Sequence, residues 1–145
     1  MSLPLNHLRI GVIGTGAIGA AACNAIAQRY GQVSFYDHDL NAVSNALRLT
    51  SSAIYQPDLE ALVAAADLII GCTGRDCLNG LDFKKISGQK IFASLSSGDV
   101  EFATLLAPCS NSSSNSIEPI IIKGASSDLT VLYGGFPINF LRATR

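Results

Sequence analysis

The sequence predicts a single α/β domain with a doubly wound, mostly parallel sheet and helices on both faces. Three observations support this fold class. Short apolar runs alternate with stretches of helical composition along most of the chain, which is typical of parallel sheets. The composition is 48% hydrophobic and only 14% charged, a balance that suits strands buried on both faces. The 145 residues are the size of one ordinary domain, and the sequence shows no internal repeats.

Runs rich in branched and aromatic residues predict the strands, and the stretches between them predict the helices. The strands predicted in the first two thirds of the chain are residues 8–13, 33–36, 53–55, 68–72 and 91–94. The predicted helices are residues 17–29, 39–49, 57–65 and 81–86. Gly31 and Gly88 are expected to end the first and the last of these helices, and Asp39 is expected to cap the second.

The pattern changes beyond Asp99. Residues 100–106 are predicted to be helical, and the polar stretch NSSSNS at residues 111–116 is predicted to have no regular structure. Two further strands are expected at residues 117–122 and 129–133, joined by the turn GASSD at residues 124–128.

The stretch GTGAIG follows the first predicted strand, opens the first predicted helix and has the pattern G-x-G-x-x-G. In this context the pattern predicts a loop that binds the pyrophosphate of a dinucleotide at a helix N-terminus. Gly14 permits the tight turn, Gly16 lets the pyrophosphate approach the backbone, and Gly19 lets the helix pack closely. The other loop residues expected to contact the cofactor are Thr15, Ala17 and Ile18.

An acidic residue completes this pattern at the end of the second predicted strand. Asp37 is expected to accept hydrogen bonds from the hydroxyls of the adenosine ribose. Its charge would repel a 2′-phosphate, and His38 follows it instead of an arginine, so the sequence predicts NAD as the cofactor rather than NADP. Two alternatives stay open: a methyltransferase that binds S-adenosylmethionine, and a glycine-rich turn without a ligand, with Asp37 as a helix cap or surface charge.

Charge and cysteine usage exclude several other classes. The net charge is −1 and no basic stripe is present, which argues against a nucleic-acid or anionic-membrane partner. The uncharged run at residues 10–28 resembles a signal peptide, but its four glycines and the strand-like VSFYD that follows argue against secretion or a membrane span. The cysteines have no zinc-site spacing, so no metal is predicted and free thiols in the cytoplasm are expected; they are Cys23, Cys72, Cys77 and Cys109.

Three later stretches add to the predicted site. ADLIIGCTGRD at residues 66–76 is a strand that brings Cys72, Thr73 and Gly74 to the ligand edge of the sheet. KIFASLSSGDVEF at residues 90–102 is a strand that ends in small polar residues at the same edge. LYGGFPINF at residues 132–140 leads to Asn139.

In this order the three stretches resemble the NAD-binding domain of the S-adenosylhomocysteine hydrolase family, over roughly residues 8–140. The resemblance implies that Thr73 and Gly74 line the adenosine and ribose side of NAD. It implies that the segment Leu95, Ser96 and Ser97 runs beside the nicotinamide half, and that Asn139 holds the nicotinamide carboxamide. For Asn139 the alternative is a capping residue of a last helix, and for Ser96 and Ser97 it is a tight turn without a chemical role.

The chain departs from this family at its chemical positions. The active-site histidine of the family is replaced by Ser97, its asparagine by Ser94 and its arginine by Phe136. Neither His7 nor His38 is placed to act as a base at a nicotinamide, so no catalytic residue is predicted. A similar fourth-strand threonine pattern also occurs in shikimate dehydrogenase, glutamyl-tRNA reductase and ornithine cyclodeaminase, which remain alternatives.

A nicotinamide reacts only against a second surface that holds the substrate and excludes water. We therefore expect residues 1–145 to be the cofactor domain of a longer protein, or to work with a partner subunit, and to be inactive alone. The competing interpretation is a complete non-catalytic module that senses NAD or NADH. An apolar domain without its native neighbour is also expected to expose a patch through which it could form a homodimer.

Overall fold

The computed structural model describes residues 7–96, 100–109, 118–124 and 126–132. Within these ranges seven strands form one sheet. They are β1 (Ile10–Ile13), β2 (Ser34–Tyr36), β3 (Ile54–Tyr55), β4 (Leu68–Gly71), β5 (Gly88–Ser94), β6 (Ile120–Lys123) and β7 (Ser127–Val131). The helices are α1 (Ala17–Tyr30), α2 (Leu40–Leu49), α3 (Leu59–Ala65) and α4 (Ala103–Leu106), with 3-10 turns at Phe83–Lys85 and Ala107–Cys109.

The strands lie in the order β3-β2-β1-β4-β5-β7-β6, and every pair is parallel except β6 with β7. From β1 the chain winds outward to β3 and then crosses back to β4 on the other side of β1. This reversal opens a crevice beyond the carboxyl ends of β1 and β4, where ligands bind in folds of this kind. The structure confirms the predicted doubly wound α/β domain.

The core has two parts, one on each face of the sheet. In β1, Val12 belongs to one apolar cluster and the next residue, Ile13, to the other. All four residues of β1 are buried, which explains why the strand is a continuous apolar run in the sequence rather than an alternating one. The central strands are thus fixed from both sides, and so are the loops that follow them.

The helix ends follow the predicted capping residues. The side chain of Asp39 accepts a hydrogen bond from the amide of Asn41 at the start of α2. Gly31 ends α1 in the left-handed conformation with φ 83°, and its amide donates to the carbonyl of Ala27. Among the described helices, none has the length and apolar character needed to cross a bilayer.

The structure differs from the prediction after β4. The helix expected at residues 81–86 is a single 3-10 turn, and Gly88, expected to end that helix, is the first residue of β5. The sequence hides this longer strand because it contains a lysine. Lys90 is buried, and its Nζ donates to the carbonyl of Ala66, 2.7 Å away, beyond the C-terminus of α3.

The last third also shows differences. The helix expected over residues 100–106 is limited to the four residues of α4. β6 and β7 are antiparallel neighbours as the predicted turn requires, but Lys123 and Asp128 already pair in the ladder, so the connection is shorter than residues 124–128. The polar stretch at residues 111–116 lies outside the described residues.

Candidate functional site

The loop between β1 and α1 depends on Gly14. Gly14 has φ +89°, and a Cβ atom there would lie 2.7 Å from Cγ2 of Thr73. Its amide donates to the carbonyl of Tyr36, at the end of β2, over 2.9 Å. The turn therefore needs a residue without a side chain both for its conformation and for the close approach of the loop after β4.

The other two glycines of the loop have opposite surroundings. A Cβ atom on Gly19 would lie 1.7 Å from the carbonyl oxygen of Gly14, so α1 packs against the turn as closely as a backbone allows. A Cβ atom on Gly16 would meet no atom within 4 Å. Gly16 borders open space at the N-terminus of α1, where the first helical hydrogen bond runs from the amide of Ala20 to Gly16. The amides of residues 16–19, which precede the first helical hydrogen bond, and the helix dipole favour an anion there.

Asp37 fixes this loop from the end of β2. Asp37 is only 9% exposed, and its Oδ2 accepts hydrogen bonds from the amide of Thr15 at 2.7 Å and from the Thr15 hydroxyl at 3.2 Å. Oδ1 accepts from the amide of Asp39 at 2.8 Å. Asp37 is therefore neither the cap of α2, which is Asp39, nor an exposed charge. His38 is exposed, with Nδ1 3.6 Å from Asp37 Oδ1.

A cleft of about 500 Å³ opens beyond the carboxyl ends of β1, β2 and β4. We call residues 14–19 with Asp37 its first wall, and residues 72–79 its second wall. The cleft has the size of a small-molecule site, and both apolar and polar residues line it. Its mainly apolar lining residues include Ile13, Tyr36, Ala42 and Leu59. The predicted site residues that border the cleft are Gly14, Gly16, Asp37, His38, Cys72 and Thr73.

The second wall contributes four cleft residues that the sequence does not predict to be in the site: Arg75, Asp76, Cys77 and Asn79. Asp76 Oδ2 accepts from the amide of Thr104, over 3.1 Å, and from its hydroxyl. Asp76 Oδ1 is buried, and no donor among the described residues reaches it. No spacing rule in the sequence assigns these residues to the cleft, because their place depends on how the loop after β4 turns.

Glu101 anchors the second wall, although it does not border the cleft. It is fully buried, and its carboxylate accepts hydrogen bonds from the amides of Thr73 at 2.5 Å and Gly74 at 3.1 Å. It also accepts from the hydroxyls of Thr73 at 2.8 Å and Ser96 at 2.7 Å. The sequence contains one signal, since Glu101 lies in the stretch that resembles the hydrolase family, but no pattern in the sequence gives this glutamate a role.

The remaining predicted residues fall into three groups. Leu95 is half-buried against the apolar core, and Ser96 is buried and bonded to Gly74 and Glu101. Thr15, Ala17 and Ile18 belong to the loop and first turn of α1, and Ile18 is 54% exposed. Two predicted residues lie outside the described ranges: Ser97 and Asn139.

The thiols of Cys72 and Cys77, which border the cleft, and of Cys23 in the core are poor nucleophiles. Burial raises the pKa of Cys72 to about 12 and that of Cys23 to about 12, and burial also raises the pKa of Cys77. These three cysteines are free. They are therefore protonated at neutral pH and act as small apolar side chains. Across the part of the chain that the structure describes, no cluster of histidine, cysteine or carboxylate side chains could hold a metal ion.

No protein-family model matches the chain, and no curated protein matches it. Several solved structures are similar to it. An imine reductase from Pseudomonas sp. has a TM-score of 0.58 at 21% identity, over 70% of this chain and 36% of that one. The 3-hydroxyisobutyrate dehydrogenase of Mycobacterium tuberculosis, with L-serine, has a TM-score of 0.58 at 20% identity, over 72% of this chain and 37% of that one.

A third structure is the NAD-complexed form of a D-isomer specific 2-hydroxyacid dehydrogenase from Lactobacillus delbrueckii ssp. bulgaricus. Its TM-score is 0.57 at 19% identity, over 77% of this chain and 34% of that one. The chain thus spans roughly a third of the length of each of the three. At this identity the likeness shows the fold, and the chain has the Rossmann fold that these reductases and dehydrogenases contain.

Proposed function

We propose that this chain is the dinucleotide-binding domain of a nicotinamide-dependent oxidoreductase and that its cofactor is NAD. The observation that carries the proposal is the open space at Gly16. A Cβ atom there would meet nothing within 4 Å, whereas both neighbouring glycines of the motif are tightly packed. The backbone of Gly16 faces the cleft that Asp37 also borders, so a pyrophosphate and an adenosine ribose could bind side by side. The 2-hydroxyacid dehydrogenase of the same fold carries NAD.

The preference for NAD over NADP rests on Asp37. Its carboxylate accepts from two protein amides and one hydroxyl, which leaves lone-pair capacity for ribose hydroxyl donors. A 2′-phosphate would bring a second negative charge next to a carboxylate that the protein already buries. Like charges in such surroundings repel strongly, so NADP should bind more weakly.

When bound, the cofactor supplies hydride exchange with a substrate, and the residues of this chain bind and orient it. The first wall would bind the pyrophosphate and the adenosine ribose, and Thr73 and Gly74 would bound the other side. The resemblance to the S-adenosylhomocysteine hydrolase family supports a finer proposal, in which Ser97 and Asn139 lie beside the nicotinamide. The substrate surface would belong to another domain or to a partner subunit, and the free thiols support a cytoplasmic location.

Calorimetric titration of the purified chain with NAD and with NADP tests this proposal. We expect NAD to bind and NADP to bind more weakly. Asp37→Asn keeps the size of the side chain. It should lower the affinity for NAD by about tenfold or more and reduce the difference between the affinities for NAD and NADP. Asp82→Asn is the matched control, because Asp82 caps a 3-10 turn away from the cleft.

The ratio of the affinities for NAD and NADP distinguishes a role of Asp37 in the site from a general loss of stability. A general loss of stability would lower the affinities for both cofactors equally. Binding of neither cofactor by the folded wild-type chain would overturn the proposal. Equal binding of NAD and NADP would overturn only the preference for NAD.

A further inference from the structure

We propose that Glu101 is a positioning residue of the cleft, a buried carboxylate that holds the second wall against the glycine loop of the first. The part of this inference that concerns cofactor affinity rests on the proposed function. The part that concerns the position of the loop stands on the contacts of Glu101 alone.

The contacts form a continuous path from Glu101 to the glycine loop through Thr73. The hydroxyl of Thr73 lies 2.8 Å from Glu101 Oε2 and accepts from the amide of Arg75 at 3.0 Å. These bonds fix the hydroxyl of Thr73, and its methyl group Cγ2 is then turned toward Gly14. A Cβ atom added to Gly14 would lie 2.7 Å from this methyl group. The bonds of Glu101 thus set the rotamer that determines how closely the two walls approach.

The backbone around Glu101 makes room for it and strengthens the same attachment. A Cβ atom on Gly71, the last residue of β4, would lie 2.4 Å from Cγ of Glu101, so the strand ends in glycine where the carboxylate passes. The carbonyl of Glu101 accepts from the amide of Cys77 at 2.9 Å. The second wall is therefore attached to residue 101 near both of its ends, by the side chain at Thr73 and by the main chain at Cys77.

The cluster surrounds a buried carboxylate with donors and favours a charged acceptor. Four donors converge on Glu101: two amides, from Thr73 and Gly74, and two hydroxyls, from Thr73 and Ser96. Three of these donors, the two amides and the hydroxyl of Ser96, bond Oε1, and the hydroxyl of Thr73 is nearest to Oε2. Glutamine has the same shape and keeps one accepting oxygen, but it has no charge and replaces the other oxygen with an NH₂ group. Hydrogen bonds to an ionised acceptor are stronger than those to a neutral one, so Glu101→Gln tests the charge of the acceptor rather than the space it fills.

The first measurement is amide hydrogen exchange of the free chain, which needs no cofactor. In Glu101→Gln we expect the amides of Thr73 and Gly74 to exchange about tenfold faster, because the oxygen that accepts from both of them belongs to a neutral group and the two bonds weaken. Lys90→Met is the control for a general loss of stability. Lys90, on β5, is buried like Glu101, but it bonds carbonyls at the C-terminal end of α3 and lies away from the cleft.

The second measurement is the dissociation constant for NAD, taken at a temperature where all variants are folded. We expect Glu101→Gln to raise it about tenfold, and Lys90→Met to leave it unchanged. Thr73→Val, which keeps both branches on Cβ but removes the hydroxyl, should raise the constant in the same direction. In the double variant Glu101→Gln with Thr73→Val, the two effects should be less than additive, since both break one path.

The outcomes separate the two proposals. If wild-type protein binds NAD and Glu101→Gln binds it equally well, the positioning role is wrong and the proposed function stands. If wild-type protein binds no NAD, the proposed function is wrong, and hydrogen exchange still decides whether Glu101 holds the loop. Unchanged exchange at Thr73 and Gly74 in Glu101→Gln would overturn the inference whatever the result with NAD.

Discussion

The two walls of the cleft are held by the same device, a buried carboxylate that accepts hydrogen bonds from loop amides. In the first wall Asp37 bonds the amide of Thr15, and in the second Glu101 bonds the amides of Thr73 and Gly74. The two carboxylates differ in exposure: Asp37 borders the cleft and is 9% exposed, whereas Glu101 is completely buried. A carboxylate with an open side can both hold a loop and bind a ligand, whereas an enclosed one can only hold the loop.

The largest effect is expected from Gly19→Ala, which breaks the packing behind the first wall. The added methyl group would lie 1.7 Å from a backbone oxygen that cannot move without moving the whole turn. We expect the free energy of unfolding to fall by about 3 kcal/mol, the upper end of the usual cost of overpacking, or more. Urea denaturation followed by circular dichroism measures this loss.

Gly16→Ala is the control within the same motif, because its methyl group meets no protein atom. Its stability should stay within about 1 kcal/mol of wild type. Its affinity for NAD should fall, since the methyl group occupies the space proposed for the pyrophosphate. Wild-type affinity in Gly16→Ala would mean that the pyrophosphate lies elsewhere.

A smaller loss is expected from Gly71→Ala, which disturbs the second wall. The new methyl group would push Glu101 away from its donors, and a loss of about 1–3 kcal/mol is expected from the overpacking. Gly11→Ala is the matched control on the neighbouring strand β1, where an added Cβ would meet Ala66 Cβ at 2.9 Å.

Both variants should be destabilised, but only Gly71→Ala should accelerate hydrogen exchange at Thr73 and Gly74. If Gly11→Ala accelerates that exchange equally at matched global stability, the second wall does not depend specifically on Glu101.

The same contrast explains how much of the site the sequence could predict. The first wall lies within one short stretch, where a strand, three spaced glycines and a strand-end acid follow a fixed pattern. The second wall depends on Glu101, which lies 28 residues from Thr73 and meets it only because β4 and β5 are neighbours. No local pattern encodes such a pairing, and a lone glutamate after a strand is usually exposed in proteins.

The fold was predictable for a similar reason. Apolar runs in the sequence predict the central strands, and residue type predicts the helix caps Gly31 and Asp39. The errors lie where tertiary contacts overrule local composition. A lysine is untypical of a buried strand, so the predicted strand began after Lys90, yet this residue is buried and its ammonium group bonds the carbonyls of Ala64 and Ala66 at the C-terminal end of α3.

The smallest effect is expected at the opposite edge of the sheet, where Arg9 and Asp67 join the starts of β1 and β4. The guanidinium NH2 lies 3.0 Å from Asp67 Oδ1, and the amide of Arg9 also donates to Asp67, over 3.0 Å. The hydrogen bond from the Arg9 side chain lowers the pKa of Asp67, against the opposing effect of burial. The folded protein therefore holds this carboxylate charged to lower pH than the unfolded chain does.

The stabilisation from Asp67 is accordingly complete above the unfolded pKa of about 4 and is lost as the pH falls through the lower folded value. Because Arg9 is 60% exposed, solvent screens the pair, and Asp67→Asn should cost only about 0.5–1 kcal/mol at neutral pH. Urea denaturation of both proteins from pH 7 to pH 3 should show the difference shrinking toward acid. The affinity for NAD should not change, because Arg9 and Asp67 join the strands that carry both walls but do not border the cleft. A loss of affinity in Asp67→Asn would show that the two walls depend on the register of β1 and β4 and not only on Asp37 and Glu101.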